Sequence, residues 1–180
     1  SGPQRALYEL VLASQQAAID ATRPGARFTD PHEAAVRVLT QGMLDLGLLD
    51  RNQDGTLEDA IANRRYFAHY MHRTGHWLGM DVHDCGSYVE PSERGQASER
   101  TDPLSGEVIK DRPSRILRAG MALTIEPGIY VRPSEKVPKE FWNIGIRIED
   151  DILMGKNGPD NLSDGVPKTV DAIQELMADA

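Results

Sequence analysis

His69-Tyr70-Met71-His72-Arg73-Thr74-Gly75-His76-Trp77-Leu78-Gly79-Met80-Asp81-Val82-His83-Asp84 holds four of the five histidines in a chain of 180 residues. Two later stretches carry a carboxylate in an isoleucine-bearing run: Leu123-Thr124-Ile125-Glu126-Pro127-Gly128-Ile129-Tyr130 and Gly145-Ile146-Arg147-Ile148-Glu149-Asp150-Asp151. His72 and His76 have the four-residue spacing of a helical metal pair, but Gly75 and Gly79 argue against a regular helix there. Arg73 stands where a His-Glu-x-x-His metalloprotease carries its glutamate, which excludes that class. His69 reads as a packed or surface histidine.

Met121–Tyr130 and Ile144–Met154 read as strands, bounded by glycine and proline. Period-two alternation then sorts their side chains. In the first, Thr124, Glu126 and Tyr130 share a face and Leu123, Ile125 and Ile129 occupy the other. In the second, Gly145, Arg147 and Glu149 oppose Ile144, Ile146 and Ile148. A carboxylate backed by isoleucines is costly to desolvate without a partner. The bland explanation is a half-solvated sheet in which Glu149 pairs with Arg147 or a lysine. Two such strands beside a histidine cluster point instead to a divalent cation, and donors without thiolate favour manganese, cobalt, iron or zinc.

Outward from these segments the pattern is helical. Ser1 and Gln4 have capping-box spacing, and Leu7, Leu10, Val11, Ala17, Ala18 and Ala21 form an apolar stripe ending near Arg23-Pro24-Gly25. Asp30, Pro31 and Glu33 predict the cap, first residue and box partner of a second helix that presents Ala35, Val38, Leu39, Gly42 and Leu46. Asp50 to Gly55 starts like a calcium loop, but Ile61 stands at the twelfth position where a bidentate glutamate belongs, so a polar turn before a short helix at Leu57–Arg65 is expected. Ser87–Pro113 reads as a long exposed loop or flap and residues 155–168 as another loop. Thr169 caps a last helix with Val170, Ile173, Leu176 and Met177 inward. The class is α+β: two helices, antiparallel strands and a C-terminal helix.

Composition excludes several functions. With 28 acidic against 20 basic residues and a net charge of −8, the chain lacks the basic stripe of nucleic-acid binders. No segment approaches the roughly 20 apolar residues of a membrane span. Cys85 is the single cysteine, so no intrachain disulfide forms, which fits a reducing, cytoplasmic setting. It reads as a small buried hydrophobe rather than a nucleophile. Ser1-Gly2-Pro3-Gln4 has no signal-peptide character and resembles a helix start cut from something longer.

The three segments, with Leu117-x-x-Gly120-Met121-x-Leu123-Thr124 leading the second, resemble the signature blocks of the aminopeptidase P type of pita-bread metallopeptidase, shared with prolidase, methionine aminopeptidase and creatinase. The resemblance covers the whole chain. It implies that His76 and Glu126 are metal ligands, that Glu149 bridges two divalent ions, expected to be Mn2+ with Co2+, Fe2+ or Zn2+ as alternatives, and that Arg147 supports them. It implies that His72 and His83 line the substrate pocket, with Glu126, His83 and His72 serving catalysis. The implied reaction is attack of a dimetal-bridged hydroxide on a peptide bond that precedes proline, with Glu126 as proton shuttle and His83 donating to the oxyanion.

The family takes two further ligands from aspartates just before the first helix, and neither Asp20 nor Asp30 can replace them. Residues 1–180 are therefore expected to be the C-terminal part of a pita-bread catalytic domain, without its N-terminal domain or first half. Such a piece is expected to hold metal partly or not at all, to be inactive alone, and to associate with a second copy or the missing half through open sheet edges. Prolidase is the nearest rival; the His72-to-Trp77 block and the insertion at Ser87–Pro113 favour aminopeptidase P. A non-catalytic binding module on the same fold is the other alternative, opposed by the filled ligand positions. Metal-free creatinase-like chemistry is disfavoured by the retention of Glu126 and Glu149 beside His76, and a calcium-binding interaction protein fails at Ile61.

Overall fold

The computed structural model describes residues 1–178. Helices α1 (Gly2–Ala21) and α2 (Asp30–Asp45) come first, followed by the short α3 (Arg51–Asp54) and α4 (Leu57–Ala62). The strands are β1 (Leu78–Gly79), β2 (Val82–His83), β3 (Ser98–Thr101), β4 (Val108–Asp111), β5 (Ala122–Ile125), β6 (Gly128–Val131), β7 (Ile144–Arg147), β8 (Asp150–Met154) and β9 (Pro159–Asn161), before α5 (Val170–Ala178). The α+β class follows as expected, with every pairing antiparallel: β1 with β2, β3 with β4, β6 with β7, and a sheet ordered β5-β8-β9. None of the described helices is long and apolar enough to cross a membrane.

Ser1 caps α1 with the complete reciprocal box. The buried face of α1 is Leu7, Val11, Ser14, Gln15 and Ala18, so two polar residues lie inside the apolar stripe. Both are satisfied: Ser14 Oγ donates to the Val11 carbonyl at 2.7 Å, and Gln15 Nε2 donates to the Ile125 carbonyl at 3.4 Å. The second bond ties α1 to the end of β5, next to Glu126. The start of α2 differs from its reading. Thr29 holds the cap position and Asp30 is the first helical residue, because its carboxylate turns back to accept the Arg27 N–H at 2.8 Å. The buried face of α2 is also rotated, taking in Val36, Met43 and Leu44 while Val38 and Leu46 are half-buried. Gly42 permits close helix contact, since a methyl group there would overlap the Leu10 side chain.

One core lies between the two long helices, β6, β7 and the 137–142 turn, with Leu7, Leu39, Met43, Tyr70, Ile129 and Phe141 at its centre. A second packs Ala18 and Ala35 against Trp77, Leu117, Leu123, Ile125 and Ile152. Each of the two long expected strands is divided. Met121–Tyr130 breaks at Glu126-Pro127 into β5 and β6, and Ile144–Met154 breaks at Ile148-Glu149 into β7 and β8. Pro127 supplies no N–H to a ladder, which accounts for the first break.

Four further readings are corrected. Ser87–Pro113 contains an exposed hairpin, β3–β4, tied by ion pairs of Arg100 with Asp111 and Lys110 with Glu99. Residues 155–168 include β9, which extends the β5-β8 sheet. Leu176 and Met177 of α5 are exposed rather than inward, although Thr169 does cap that helix. Cys85 is exposed. His69 is buried as a packed histidine, its Nε2 meeting the Leu48 carbonyl at 3.2 Å. The calcium-like segment is α3, with Asp50 as its cap, followed by α4 with a complete Thr56–Asp59 box.

Candidate metal centre

The segment Thr74–Trp77 forms no helix; it lies against β5 as an added strand. Glu126 N–H donates to the Thr74 carbonyl at 2.6 Å, Thr124 N–H to the His76 carbonyl at 2.9 Å, and Trp77 bridges to Leu123. Gly75 makes this approach possible, because an ideal Cβ on it would sit 1.9 Å from the Thr124 carbonyl oxygen. His76 therefore emerges beside Glu126, and the 122–131 and 144–154 ribbon brings Glu149 to the same place. Ligand atoms of His76, Glu126 and Glu149 lie within 4.8 Å of one another, and no other group of three or more such side chains converges this way among the described residues.

The electrostatics of this trio call for a cation. His76 Nδ1 is 2.9 Å from the Trp77 carbonyl, a contact that only an N–H can satisfy, so in the neutral ring the Nε2 lone pair is what faces the carboxylates. That nitrogen is 3.3 Å from Glu126 Oε1. Two acceptors face each other there, an arrangement that a proton or a metal ion must bridge. Glu149 is held above the usual carboxylate range, first by desolvation and then by the negative charge of Glu126. An imidazole presented by its second-nitrogen hydrogen bond, with two crowded carboxylates, is a donor set suited to a hard or borderline divalent ion.

The surrounding side chains hold this arrangement. Thr124 Oγ1 donates to Glu126 Oε1 at 3.1 Å and accepts from the His76 N–H at 3.1 Å, so one hydroxyl fixes both donors. Arg147 Nη1 lies 3.4 Å from Glu126 Oε2. Glu126 itself is buried. His83, at the end of the β1–β2 hairpin, has its ring centroid 4.2 Å from that of His76. Val82 takes a left-handed φ of 69° to bring it there. His72 stands farther off, with Nε2 3.0 Å from the Tyr130 hydroxyl.

These residues open onto a cleft of about 1240 Å³ lined by His72, His76, His83, Glu126 and Arg147 on one side. Phe28 and Tyr88 contribute an aromatic wall, and the β3–β4 hairpin closes a flank. All six residues singled out in the sequence thus sit in or beside one site. Sequence reasoning passed over the support beneath it: Gln15, the aromatic wall, and a buried contact of His32 with Tyr70 and Thr74. No periodicity signals these, since each depends on contacts between distant parts of the chain.

Residues 1–156 match the model of metallopeptidase family M24. The Xaa-Pro aminopeptidase of Haemophilus influenzae is 40% identical over 177 residues, 98% of this chain and 35% of that protein. The Escherichia coli K12 Xaa-Pro aminopeptidase is 38% identical, again over 98% of this chain, and 34% of its own length is covered. The solved structure of Pseudomonas aeruginosa aminopeptidase PepP superposes with a TM-score of 0.82 at 46% identity, covering 99% of this chain and 35% of that one. The chain spans about a third of the length of the relatives it matches. Its fold is that of the aminopeptidase P structures, the pita-bread arrangement of helices on antiparallel strands.

Proposed function

The chain belongs to metallopeptidase family M24, and on that basis we propose that it is the metal-holding C-terminal portion of an Xaa-Pro aminopeptidase, which releases an N-terminal residue that precedes proline. The observation that carries this reading is the convergence of His76, Glu126 and Glu149, with the His76 lone pair aimed at a carboxylate. These three residues would hold a divalent ion; Mn2+ is the ion proposed, and the imidazole and carboxylate donors admit Co2+, Fe2+ or Zn2+ as alternatives. Such an ion supplies Lewis acidity toward a carbonyl oxygen and lowers the pKa of water.

The chain's own groups divide the remaining work. Glu126 Oε1, kept in place by the Thr124 hydroxyl, takes a proton from the attacking water and returns it to the leaving proline nitrogen. Arg147, against Oε2 of the same carboxylate, holds the other end of the Glu126 side chain in place. His83 donates toward the developing carbonyl oxygen from its place over His76. His72, braced by Tyr130, orients the peptide in the cleft, and Phe28 and Tyr88 supply apolar surface for proline.

Three protein ligands are few for two cations, so residues 1–180 alone are expected to show little or no peptidase activity and weak metal binding. The remaining ligands are assigned to other parts of a longer chain. Contact with those parts, or with a second copy, is supported by β7, whose outer edge pairs with no other strand among the described residues, and by an adjoining groove of about 620 Å³ lined by Tyr8, Ile144, Ile146, Val170 and Ile173. A cytoplasmic location belongs to the same proposal, resting on a single exposed cysteine.

The test uses the intact protein with a peptide bearing proline at its second position. Release of the first residue should require Mn2+, stop with chelator, and disappear in Glu126→Ala. Turnover that survives chelation, or that Glu126→Ala retains, refutes the proposal. Residues 1–180 tested alone should give almost none.

A further inference from the structure

Behind the cleft, three side chains from two parts of the chain meet in a buried polar contact. His32 lies in the first turn of α2, with Nδ1 2.9 Å from Thr74 Oγ1. The Tyr70 hydroxyl is hydrogen-bonded to the same Thr74 oxygen and stands 3.5 Å from His32 Nδ1. Thr74 and Tyr70 are fully buried, at 1% and 0% exposure, so neither hydroxyl can fall back on solvent. A buried hydroxyl without a partner is expensive, and among the described residues these are satisfied only by one another and by the imidazole.

The donor count gives the contact a direction. Tyr70 and Thr74 carry one proton each, and His32 Nδ1 is an acceptor when the neutral ring is protonated on Nε2. The arrangement that uses every group runs from Tyr70 O–H to Thr74 Oγ1, and from Thr74 O–H to His32 Nδ1. Burial, reinforced by the nearby positive charges of Arg73, His72 and Arg64, pulls His32 down to about 4, so the ring is neutral at physiological pH. Among the described residues no carboxylate offsets this.

Thr74 connects the trio to the site. Its carbonyl accepts the Glu126 N–H at 2.6 Å, and its chain direction leads through Gly75 to His76. On the other side, the Tyr70 ring packs edge-on to His72 with centroids 5.0 Å apart. We propose that His32, Tyr70 and Thr74 form a hydrogen-bonded positioning network that fixes the segment 72–76 against α2 and thereby sets the placement of Glu126 and His72. Apolar packing could fill the same space, but it would leave the Thr74 rotamer and the height of its carbonyl free to drift. The hydroxyl determines both. None of the three touches substrate or metal, so they are positioning residues. The inference rests on the peptidase reading for its kinetic consequence only.

The test compares Thr74→Val, which keeps shape and removes the hydroxyl, with Thr74→Ser, which keeps the hydroxyl, both in the intact protein and on a peptide with proline second. Displacement of a catalytic group by a fraction of an ångström should lower kcat of Thr74→Val about 10- to 100-fold with KM changed less than about threefold. Thr74→Ser should retain most of the activity, and Tyr70→Phe should fall between. Equal kcat in wild type and Thr74→Val, or equal losses in the Val and Ser variants, overturns the proposal. Imidazole nitrogen resonances of the intact protein give a reading independent of turnover. His32 should be protonated on Nε2 at neutral pH, and the His72 signals should move in Thr74→Val. A charged or tautomer-averaged His32, or unmoved His72 signals, rejects the network even if peptidase activity is confirmed. A protein inactive on every proline peptide rejects the peptidase reading while these resonances still decide the network.

Discussion

Gly75→Ala strikes the contact on which the candidate metal centre is built. The new methyl group would lie 1.9 Å from the Thr124 carbonyl oxygen and 3.0 Å from the carbonyl carbon, whereas real Cβ contacts stay beyond 3.0 Å. The obstructing atoms are backbone, so the segment 74–77 must move away from β5 by about 1 Å. That separation breaks or stretches the Glu126-to-Thr74 and Thr124-to-His76 hydrogen bonds, now 2.6 and 2.9 Å. At about 1 kcal/mol each, with a similar cost for strained packing, the variant should lose about 2–4 kcal/mol of stability. Gly95→Ala serves as control, because its Cβ would meet nothing within 4 Å. Urea denaturation of the intact protein measures the loss, and calorimetric titration with Mn2+ reads the site. Affinity should fall at least tenfold, because His76 and Glu126 are displaced from each other. A Gly75→Ala protein with the stability of the Gly95→Ala control and unaltered Mn2+ affinity refutes the seating of this segment on β5.

Val82 holds a left-handed φ of 69° with a β-branched side chain that is 55% exposed, so Val82→Gly should raise stability by about 1 kcal/mol in urea melts; a loss of similar size would show that the turn is not strained. For His32, the folded pKa of about 4 lies below the unfolded value of 6.5, so the unfolded state binds the extra proton between those values. Stability should therefore drop by up to about 3 kcal/mol as pH falls from 6.5 to 4, and His32→Asn should flatten that part of the urea-midpoint profile; an unchanged slope counts against a buried neutral ring. Adding Mn2+ should raise the melting temperature of the intact protein, and Glu149→Gln should lose that gain without lowering the metal-free melting temperature. A variant that gains as much as the wild type removes Glu149 from the ligand set.

The parts of this fold legible in the sequence are those written in periodicity and caps. The stripe of α1, its Ser1–Gln4 box and the polar face shared by Thr124 and Glu126 all appear in the structure. The β3–β4 hairpin was hidden because it has no apolar face to alternate; charged pairs such as Lys110 with Glu99 stabilise it, and these look like loop composition. The exposed Leu176 and Met177 mislead in the opposite sense: helical spacing identifies an apolar face but not what covers it. The cap of α2 shifted for a local reason, the pull of Arg27 N–H on Asp30, which residue type alone cannot rank against Thr29.

Register is the piece that no single strand contains, and it accounts for the candidate metal centre. Ile125 pairs with Asp150 and Gly128 with Arg147, so counting inward sets Glu126 opposite Glu149 and Pro127 opposite Ile148. The two ladders therefore share one register, interrupted only where the carboxylates face each other; the long 3.4 Å contact from Ile148 N–H to the Pro127 carbonyl marks the gap. Directly opposed like charges destabilise an antiparallel pair. Here desolvation and Glu126 together raise the pKa of Glu149, and His76, its Nδ1 taken by the Trp77 carbonyl, turns Nε2 to the same point. A β-ribbon that places two carboxylates and an imidazole at its break is unfavourable as a structural device and suited to holding a divalent ion. Pro127 ensures the break, Gly75 admits the third donor, and Thr124 locks two donors together, so the residues that look least suited to a strand are the ones the centre requires.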